Sequence, residues 1–454
     1  MGLVAFLKRL FGGGPPPEPD AYVDPHRVRP RDEKPAAAPA RPTTGWQTPA
    51  AADPPRKGWE GPPRKHPLPD LKYESSLVPA DPAREEASGD APYAFARFGP
   101  GYGTYLDLSR DADAGWLDEF DLPHLRTPQD LADWLDLPLG KLAWLTGRFF
   151  EKSVPPSVAK ANYVYRWVGK KTSGYRLIEE PKPLLKAAQE TVLRGILDNV
   201  PPHHAAHGFR AGRSIVSNAG VHTGAAVLLK HDLRNFYPSV GLSRVVAIFR
   251  TVGFSREVAI WLARLCTSRV PRDLGRADGH ALVGEDFSRY SAAHLPQGAP
   301  TSPALANLSA YSLDVRLSGL ASAFGAAYTR YADDLTFSGD APFIPKLRRF
   351  IPLTERIIRD ERFTVHSEKR RVIRAHQRMT VTGVVVNERT NVAREEYDRL
   401  KAILHNCLKS GPAGQNRDGV PDFRAHLRGR IAFVNQCNPA RGRKLLEAFG
   451  RINW

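Results

Sequence analysis

The chain has 454 residues, of which 65 are Lys or Arg and 48 are Asp or Glu, giving a formal net charge of +17 at pH 7. A hydrophobic content of 42% excludes a wholly disordered chain, and three cysteines are too few for a disulfide framework. The basic excess predicts a polyanionic partner, most simply a nucleic acid. No apolar run approaches the ~20 residues of a membrane-spanning helix, so we expect a cytoplasmic protein with no membrane partner.

Residues 1–95 form a basic segment rich in proline, and the first hundred residues hold half of the 40 prolines. Proline interrupts helices and central strands, and the segment offers little apolar surface to offset the entropy lost on ordering. We therefore expect a disordered arm. It serves either as a plain linker or as an extension that contacts nucleic acid.

Residues 96–155 are expected to form a small helical subdomain. Thr127-Pro-Gln-Asp130 combines an N-cap residue, a proline at the first helical position and an acid in the first turn. The apolar residues that follow recur at helical spacing. Trp134, Trp144 and Leu145 are therefore expected in a core rather than in a base-stacking platform.

Strand-like and helical runs alternate over residues 156–390, which indicates an α+β fold. The predicted strands are 163–168, 175–178, 226–229, the hairpin 328–337, and 381–386, and the predicted helices are 185–200 and 245–265. A helical region over residues 391–454 follows, beginning with a helix over 395–407.

The sequence Tyr331-Ala-Asp-Asp334 places two adjacent acids in an aromatic and β-branched stretch. Alone, it is most simply a hairpin turn. A third acid, Asp232, follows the apolar run 226–229. Carboxylate oxygens are the ligands that Mg²⁺ prefers, and two such ions can hold the attacking and leaving oxygens of a displacement at phosphorus.

Between these acids lies Leu295-Pro-Gln-Gly-Ala-Pro-Thr-Ser-Pro-Ala-Leu-Ala-Asn307. The Pro-Gln-Gly turn exposes backbone groups and an amide. Thr301-Ser-Pro is expected to cap a helix whose N-terminus can face a phosphate or a base. The order of the three segments is that of a palm-type polymerase.

These three segments resemble the palm motifs of reverse transcriptases, and the chain is most similar to the bacterial retron reverse transcriptases. Two further motifs carry the second resemblance, Asn218-Ala-Gly-Val-His222 and Val381-Thr-Gly383. The segments 170–176 and 207–213 resemble that family's fingers. The likeness runs from about residue 115 to the C-terminus and implies a right-hand polymerase fold, with fingers and palm over 156–390 and a thumb over 391–454.

The resemblance also implies roles for individual residues. The expected catalytic residues and ligands of two Mg²⁺ ions are Asp232, Asp333 and Asp334, with the Leu233 carbonyl as a backbone ligand. The expected nucleotide-binding residues are Lys170, Lys171, Arg176, Tyr237, Gln297 and Lys369. The expected RNA-binding residues are Asn218, His222, Val381, Thr382, Gly383, Arg424 and Arg428.

In this set Tyr237 would exclude a 2′-hydroxyl, and Lys369 would give a proton to the leaving group. The implied partners are a cognate structured non-coding RNA, deoxynucleotides, an RNA–DNA product, a separate effector protein and a host RNase H, since no RNase H domain is expected after the thumb.

Alternatives remain open at this level. A group II intron maturase would share the palm motifs, and a non-catalytic RNA-binding relative would share the fold. The His203, His204 and His207 cluster is read as a basic loop near RNA rather than a zinc site, because no ligand partner stands at suitable spacing. The cysteines are expected to be buried packing residues.

Overall fold

The computed structural model describes residues 90–99, 104–148, 157–170, 175–274 and 289–454. Nearly all of the expected proline-rich arm, through residue 89, therefore lies outside the described residues. Among the described helices, none has the length and hydropathy needed to cross a membrane.

The N-terminal part contains a short hairpin that the sequence did not predict, followed by three helices. These elements are β1 (Arg97–Gly99), β2 (Thr104–Leu106), α1 (Ala114–Glu119), α2 (Pro128–Trp134) and α3 (Leu139–Leu145). Thr127 caps α2 as predicted, and together with Asp130 it forms a capping box. The fully buried Leu131 and Leu142 pack into one large core that continues into later parts of the chain, so these helices have no separate core of their own. Leu145 and Trp134 join this core as predicted, but Trp144 is exposed, so its predicted core position is wrong.

The expected fingers begin with an antiparallel strand pair, β3 (Tyr163–Gly169) and β4 (Tyr175–Pro181), which confirms the two predicted strands. Helix α4 (Pro183–Gly195) follows, and a short 3₁₀ turn over 197–199 ends the predicted helical region. Helix α5 (Ile215–Gly220) then leads to the central sheet.

The central sheet has four antiparallel strands in the order β6-β7-β5-β8. The strands are β5 (Val227–Asp232), β6 (Ala326–Tyr331), β7 (Asp334–Gly339) and β8 (Arg371–Arg374). This arrangement confirms the predicted strand before Asp232 and the predicted hairpin. The register pairs Asp232 with Asp334, and Asp334 with Tyr331, at one end of the sheet.

The two faces of this sheet carry different side chains because strand residues alternate between them. The front face carries Asp232 and Asp334, and the back face carries Leu229 and Phe337. Helices α8 (Ser302–Ser309), α9 (Tyr311–Phe324) and α10 (Leu347–Asp360) contribute side chains to the back-face core. The front face is therefore the one on which the acids can meet a substrate.

The predicted helix over 245–265 is wrong in one respect, since the chain forms two helices, α6 (Leu242–Thr251) and α7 (Arg256–Cys266). Gly253 separates them with φ +110, and a Cβ there would lie 2.5 Å from the Asp113 carbonyl oxygen. The Ser255 hydroxyl caps the second helix by accepting a hydrogen bond from the Val258 backbone N–H.

The predicted strand over 381–386 is also wrong. The segment is a tight hairpin of β9 (Thr380–Val381) and β10 (Val384–Val385). Thr382 and Gly383 turn the chain with φ values of +47 and +86. A left-handed turn of this kind reverses direction within two residues, which an apolar run does not reveal.

Three helices close the chain, α11 (Arg394–Ser410), α12 (Phe423–Cys437) and α13 (Pro439–Gly450). Their buried residues form a second core with the β9–β10 hairpin. Leu228, on the front face of the sheet, and Ala219 of α5 belong to this second core. All three cysteines are buried and free, as predicted.

A buried ion pair lies behind the β6–β7 hairpin, on the back face of the sheet. The Arg330 guanidinium of β6 donates to both carboxylate oxygens of Asp314 in α9, at 2.8 and 2.6 Å, and both side chains have no exposed area. The same guanidinium donates to the side-chain oxygen of Asn307 and, at 3.2 Å, to the carbonyl oxygen of Ala332. It therefore connects two back-face helices to the turn between β6 and β7.

We expect Arg330→Met to lower the free energy of unfolding by about 3–5 kcal/mol, because it leaves the Asp314 carboxylate buried without a counter-charge. Urea unfolding monitored by circular dichroism measures this change. The matched control is Arg316→Ala, which breaks the partly exposed pairs with Asp360 and Glu361 and should cost about 1 kcal/mol or less. Equal losses in the two variants would contradict the bracing role of Arg330.

Candidate active site

The structure brings the three predicted acids to one end of the sheet. Asp232 ends β5 and lies directly opposite Asp334, the first residue of β7. Directly opposed residues of antiparallel strands have Cα atoms ~4.5–5.5 Å apart. Asp333 lies in the adjoining turn, and its carbonyl oxygen accepts a hydrogen bond of 2.9 Å from the Leu233 backbone N–H.

The turn between β6 and β7 is held in a strained conformation. Ala332 has φ +56, which is uncommon for a residue with a Cβ and costs of order 1 kcal/mol. Gly208 approaches this turn so closely that a Cβ at 208 would lie 2.9 Å from the Ala332 nitrogen. The Gly208 carbonyl is fixed in turn by the side chain of Asn307, which donates a hydrogen bond of 2.8 Å.

The electrostatics of the site follow from this crowding. Burial, together with the charges of Asp334 and Asp232, raises the pKa of Asp333 to about 7. Burial and Asp232 also raise the pKa of Asp334, and Lys230 and Lys369 oppose that shift. Two or more carboxylates in one site cannot all ionise cheaply without positive charge nearby.

Lys369 supplies positive charge at this end of the sheet. Its ammonium group donates to both oxygens of Asp232, at 3.0 and 3.1 Å. The lysine side chain is half exposed. Lys369 lies four residues after Val365, which forms an antiparallel bridge with Leu233. Lys369 therefore lies beside the acids, and its role as a proton donor stays a prediction.

The residues present fit magnesium by their chemistry, although no three His, Cys, Asp or Glu side chains in the described part of the chain form a preformed metal cage. Carboxylate and carbonyl oxygens are the donors that Mg²⁺ takes. The Leu233 N–H points to Asp333, and in extended backbone the carbonyl of the same residue points to the same side. The raised pKa of Asp333 is the mark of carboxylates that a cation would stabilise.

Two predicted nucleotide-binding residues face the same acids. Arg176 lies on β4, and its positive charge acts on both Asp333 and the Tyr237 hydroxyl. Tyr237 is partly buried, and its pKa is raised far above the ordinary value by burial and by the charge of Asp333. Both side chains are therefore close enough to Asp333 for their charges to interact.

The Gln297 turn is fastened to the fingers strand β4 by Glu179. The Glu179 N–H donates a hydrogen bond of 2.9 Å to the Gln297 carbonyl. Gly298, with φ +138, passes so close that a Cβ there would lie 2.7 Å from the Glu179 carbonyl oxygen. The Glu179 carboxylate also lies 2.9 Å from the buried imidazole of His294, three residues before Gln297.

Burial alone would lower the pKa of His294, but the charge of Glu179, the hydrogen bond to it and the Ala292 carbonyl together raise it. The pair therefore joins the strand that carries Arg176 to the turn that carries Gln297.

The expected side-chain cap at the start of α8 is wrong, since Thr301 makes no side-chain capping hydrogen bond there.

Of the predicted nucleotide-binding lysines at 170 and 171, the structure describes Lys170 alone. Lys170 directly follows β3 and is exposed. Lys171 lies outside the described residues. The direct contact between these lysines and a triphosphate stays a prediction.

The structure does not allow the direct RNA contacts expected for the Asn-Ala-x-x-His motif. Asn218 is 1% exposed and His222 is completely buried. Both ring nitrogens of His222 lie 2.7 Å from hydroxyls of the central sheet, those of Ser338 and Thr329. An interior position of this kind makes these two residues part of the packing around the central sheet.

The Val-Thr-Gly motif is likewise mostly internal. Val381 is fully buried, and Thr382 is 9% exposed and donates through its hydroxyl to the Ile215 carbonyl. Arg424 and Arg428 are different, since both are exposed and lie one helical turn apart on α12. Among the predicted RNA-binding side chains that the structure places, these two arginines are the ones accessible to a phosphate backbone.

The histidine cluster after α4 has no metal-site geometry. The rings of His203 and His204 lie 4.1 Å apart, and His207 contacts the Ser217 hydroxyl at 3.0 Å. Burial and the charge of Arg213 lower the pKa of His207 to about 4. These contacts indicate that the three histidines pack within and beside the segment 207–213.

Sequence reasoning missed the residues that support the site from behind. Arg330, Asp314, Asn307, Glu179 and His294 are all buried and hydrogen-bonded around the catalytic turn or the Gln297 turn. The sequence offered one signal, the charged Arg330 inside a predicted strand between Thr329 and Tyr331. Because buried charges occur in pairs, an arginine at such a position indicates a buried acidic partner.

We expect Asp333→Asn to stabilise the metal-free protein at pH 8 by on the order of 1–3 kcal/mol. The raised pKa means that the folded state loses stability as the pH rises from about 4 through about 7, and the amide removes that loss. Thermal unfolding in EDTA at pH 4.5 and pH 8 measures the gain, which should vanish at the lower pH.

Magnesium should raise the melting temperature of the wild-type protein and raise that of Asp333→Asn by much less. Asp418→Asn, at an exposed thumb position, is the control and should behave as wild type. An Asp333→Asn protein no more stable than wild type at pH 8 would contradict the argument that burial and the neighbouring carboxylates destabilise the ionised Asp333.

Comparison with known proteins agrees with this site. The family of reverse transcriptases (RNA-dependent DNA polymerases) matches residues 168–386, which include all three acids. The retron Mx162 reverse transcriptase of Myxococcus xanthus is 38% identical over 372 residues, 76% of this chain and 72% of that protein. The retron Mx65 reverse transcriptase of the same organism is 39% identical and covers 73% of each chain.

The retron Ec86 reverse transcriptase of Escherichia coli is 32% identical over 61% of this chain and 76% of its own length. A telomerase from Candida albicans, solved with a fragment of telomeric RNA, matches 63% of this chain and 56% of its own with a TM-score of 0.36 and 11% identity, too low a likeness for structural inference. On the strength of the retron relatives, the chain belongs to the bacterial retron reverse transcriptases and is an RNA-directed DNA polymerase.

Proposed function

We propose that this protein copies a cognate structured non-coding RNA into single-stranded DNA that stays joined to the RNA by a branch. The first attacking group is the 2′-hydroxyl of an internal guanosine in that RNA. The observation that carries the chemical part is the meeting of Asp232, Asp333 and Asp334 at one end of the sheet. The retron part is supported by the relatives named above.

The three carboxylates are proposed to hold two Mg²⁺ ions, which when bound polarise the attacking hydroxyl and neutralise the phosphates. The hydroxyl oxygen forms a bond to the α-phosphorus of a deoxynucleotide, and the bond from that phosphorus to pyrophosphate breaks. Arg176, whose charge acts on Asp333, is proposed to neutralise charge on the departing pyrophosphate. Lys369 is the proposed proton donor to that leaving group.

The Lys369 ammonium group donates hydrogen bonds to both Asp232 oxygens. We propose that it leaves those oxygens when they serve as metal ligands. Gln297 is proposed to lie against the incoming nucleotide, in a position fixed by Glu179.

The proposed partners extend beyond the site. The template is removed by a host RNase H, and the RNA–DNA product acts with a separate effector protein in defence against phage. The reaction takes place in the cytoplasm. Arg424 and Arg428 of the thumb are proposed to contact the phosphate backbone of the RNA or the growing duplex.

We expect Tyr237→Ala to increase incorporation of ribonucleotides relative to deoxynucleotides by about 10- to 100-fold, because it opens the space that a 2′-hydroxyl would need. Single-nucleotide extension of a DNA primer on an RNA template measures this ratio from kcat/KM for each nucleotide. Tyr237→Phe is the control and should keep the wild-type ratio, since the ring remains. An unchanged ratio in Tyr237→Ala would mean that another residue excludes the 2′-hydroxyl.

The branched product is tested by purifying the protein with its bound nucleic acid and treating the sample with RNase and a debranching enzyme. A discrete DNA that changes mobility on debranching and is absent from Asp333→Ala is the expected result. Primer extension without any branched DNA would instead indicate a reverse transcriptase of another mode, such as that of a group II intron maturase. Bound RNA with no DNA in either protein would overturn the enzymatic proposal.

A further inference from the structure

The Asn-Ala-x-x-His and Val-Thr-Gly motifs pack against each other on the front face of the sheet. We call residues 215–224 and 380–386 together the palm–thumb wedge. The Thr382 hydroxyl donates to the Ile215 carbonyl at 3.1 Å, and the Gly224 N–H donates to the Val386 carbonyl at 3.0 Å. Two distant motifs therefore form one structural unit.

One side of the palm–thumb wedge is fastened to the catalytic hairpin by His222. Nε2 lies 2.7 Å from the hydroxyl of Thr329 on β6, and Nδ1 lies 2.7 Å from the hydroxyl of Ser338 on β7. The ring is completely buried. Burial, with His207 and Lys230 nearby, lowers its pKa to about 3, so the neutral ring has one N–H and one lone pair to match two hydroxyls.

These two hydroxyls lie on the same face as the catalytic acids. The register pairs Tyr331 with Asp334 and Thr329 with Thr336, and strand residues two apart share a face. Ser338 is four residues along β7 from Asp334, about 13 Å at the usual rise per residue. His222 therefore bonds the hairpin on the face that carries the acids, two to four residues along the strands from them.

The other side of the palm–thumb wedge is part of the thumb core. Apolar side chains from the wedge, from the sheet and from all three C-terminal helices form one cluster. The members that make this connection are Ala219, Val381, Val384, Leu228, Leu400, Ile431 and Leu445.

We propose that His222 is a positioning residue that sets the place of the thumb relative to the catalytic acids, so that a primer end held by the thumb reaches the reaction site. The inference rests on the three acids proposed above as the catalytic centre. Its alternative is that the same hydrogen bonds only stabilise the fold.

The sheet offers a matched pair of substitutions to separate these two cases. Thr329→Val removes a buried hydroxyl that bonds His222 on the front face. Thr354→Val removes a buried hydroxyl of α10 that lies 3.3 Å from Nε2 of His231, on the back face of the same sheet. Both changes keep the side-chain shape and delete a His–Thr contact, but only the first touches the palm–thumb wedge.

The assay uses the full chain with a generic RNA template and DNA primer, so it does not depend on the cognate RNA or on branch formation. Burst amplitude counts the active sites, which corrects for any protein that fails to fold. We expect Thr329→Val to lower the extension rate per active site and the processivity by about tenfold, with KM for the deoxynucleotide within twofold of wild type. Ser338→Ala should reproduce this pattern, and Thr354→Val should not.

The positional role also predicts that Thr329→Val adds little to the loss already caused by His222→Leu, since both remove the same contact. A rate per active site and a processivity in Thr329→Val equal to those of Thr354→Val would overturn the proposal, whatever the two melting temperatures. So would a tenfold loss of both quantities in Thr354→Val.

Discussion

Like charges at one end of a sheet are the constraint around which this protein is organised. Two carboxylates at 4 Å repel by about 4 kcal/mol at an effective dielectric of 20, and their partial burial adds a desolvation cost. The raised pKa of Asp333 records that cost. Lys369 offsets part of it through its two bonds to Asp232, and Lys230 and Arg176 add positive charge nearby.

Because the acids repel, the hairpin that carries them must be held by contacts outside the site. Arg330 holds it from the back through Asp314 and the Ala332 carbonyl. Gly208 packs against the turn from the side, and His222 bonds the front face. Buried polar contacts on several sides can keep Ala332 in its left-handed conformation, which is the usual setting of backbone strain at a functional site.

The local chemistry of the motifs was readable from the sequence because each depends on neighbouring residues. The N-cap at Thr127, the strand before Asp232 and the hairpin at 331–334 follow from spacing and residue type, and the structure confirms them. The break at Gly253 and the turn at Thr382 were missed, because the first depends on the close approach of Asp113 and the second on backbone angles.

The roles of His222 and Asn218 were predicted wrongly for a related reason. A motif shared with a nucleic-acid enzyme suggests contact with the nucleic acid, but burial depends on the packing of segments distant in sequence. His222 meets Ser338 across 116 positions of the chain, and Glu179 meets His294 across 115. Single-sequence patterns carry no information on such pairs, and the residues that support this site are mostly of this kind.

The most direct test of the central claim is a crystal structure of the protein with template–primer, a non-hydrolysable deoxynucleotide and Mn²⁺, in which anomalous scattering locates the metal. The account predicts two peaks within about 2.2 Å of oxygens from Asp232 and from the Asp333–Asp334 pair, with Lys369 displaced from Asp232. Metal peaks away from these acids, or an unbroken Lys369–Asp232 pair in the complex, would contradict it.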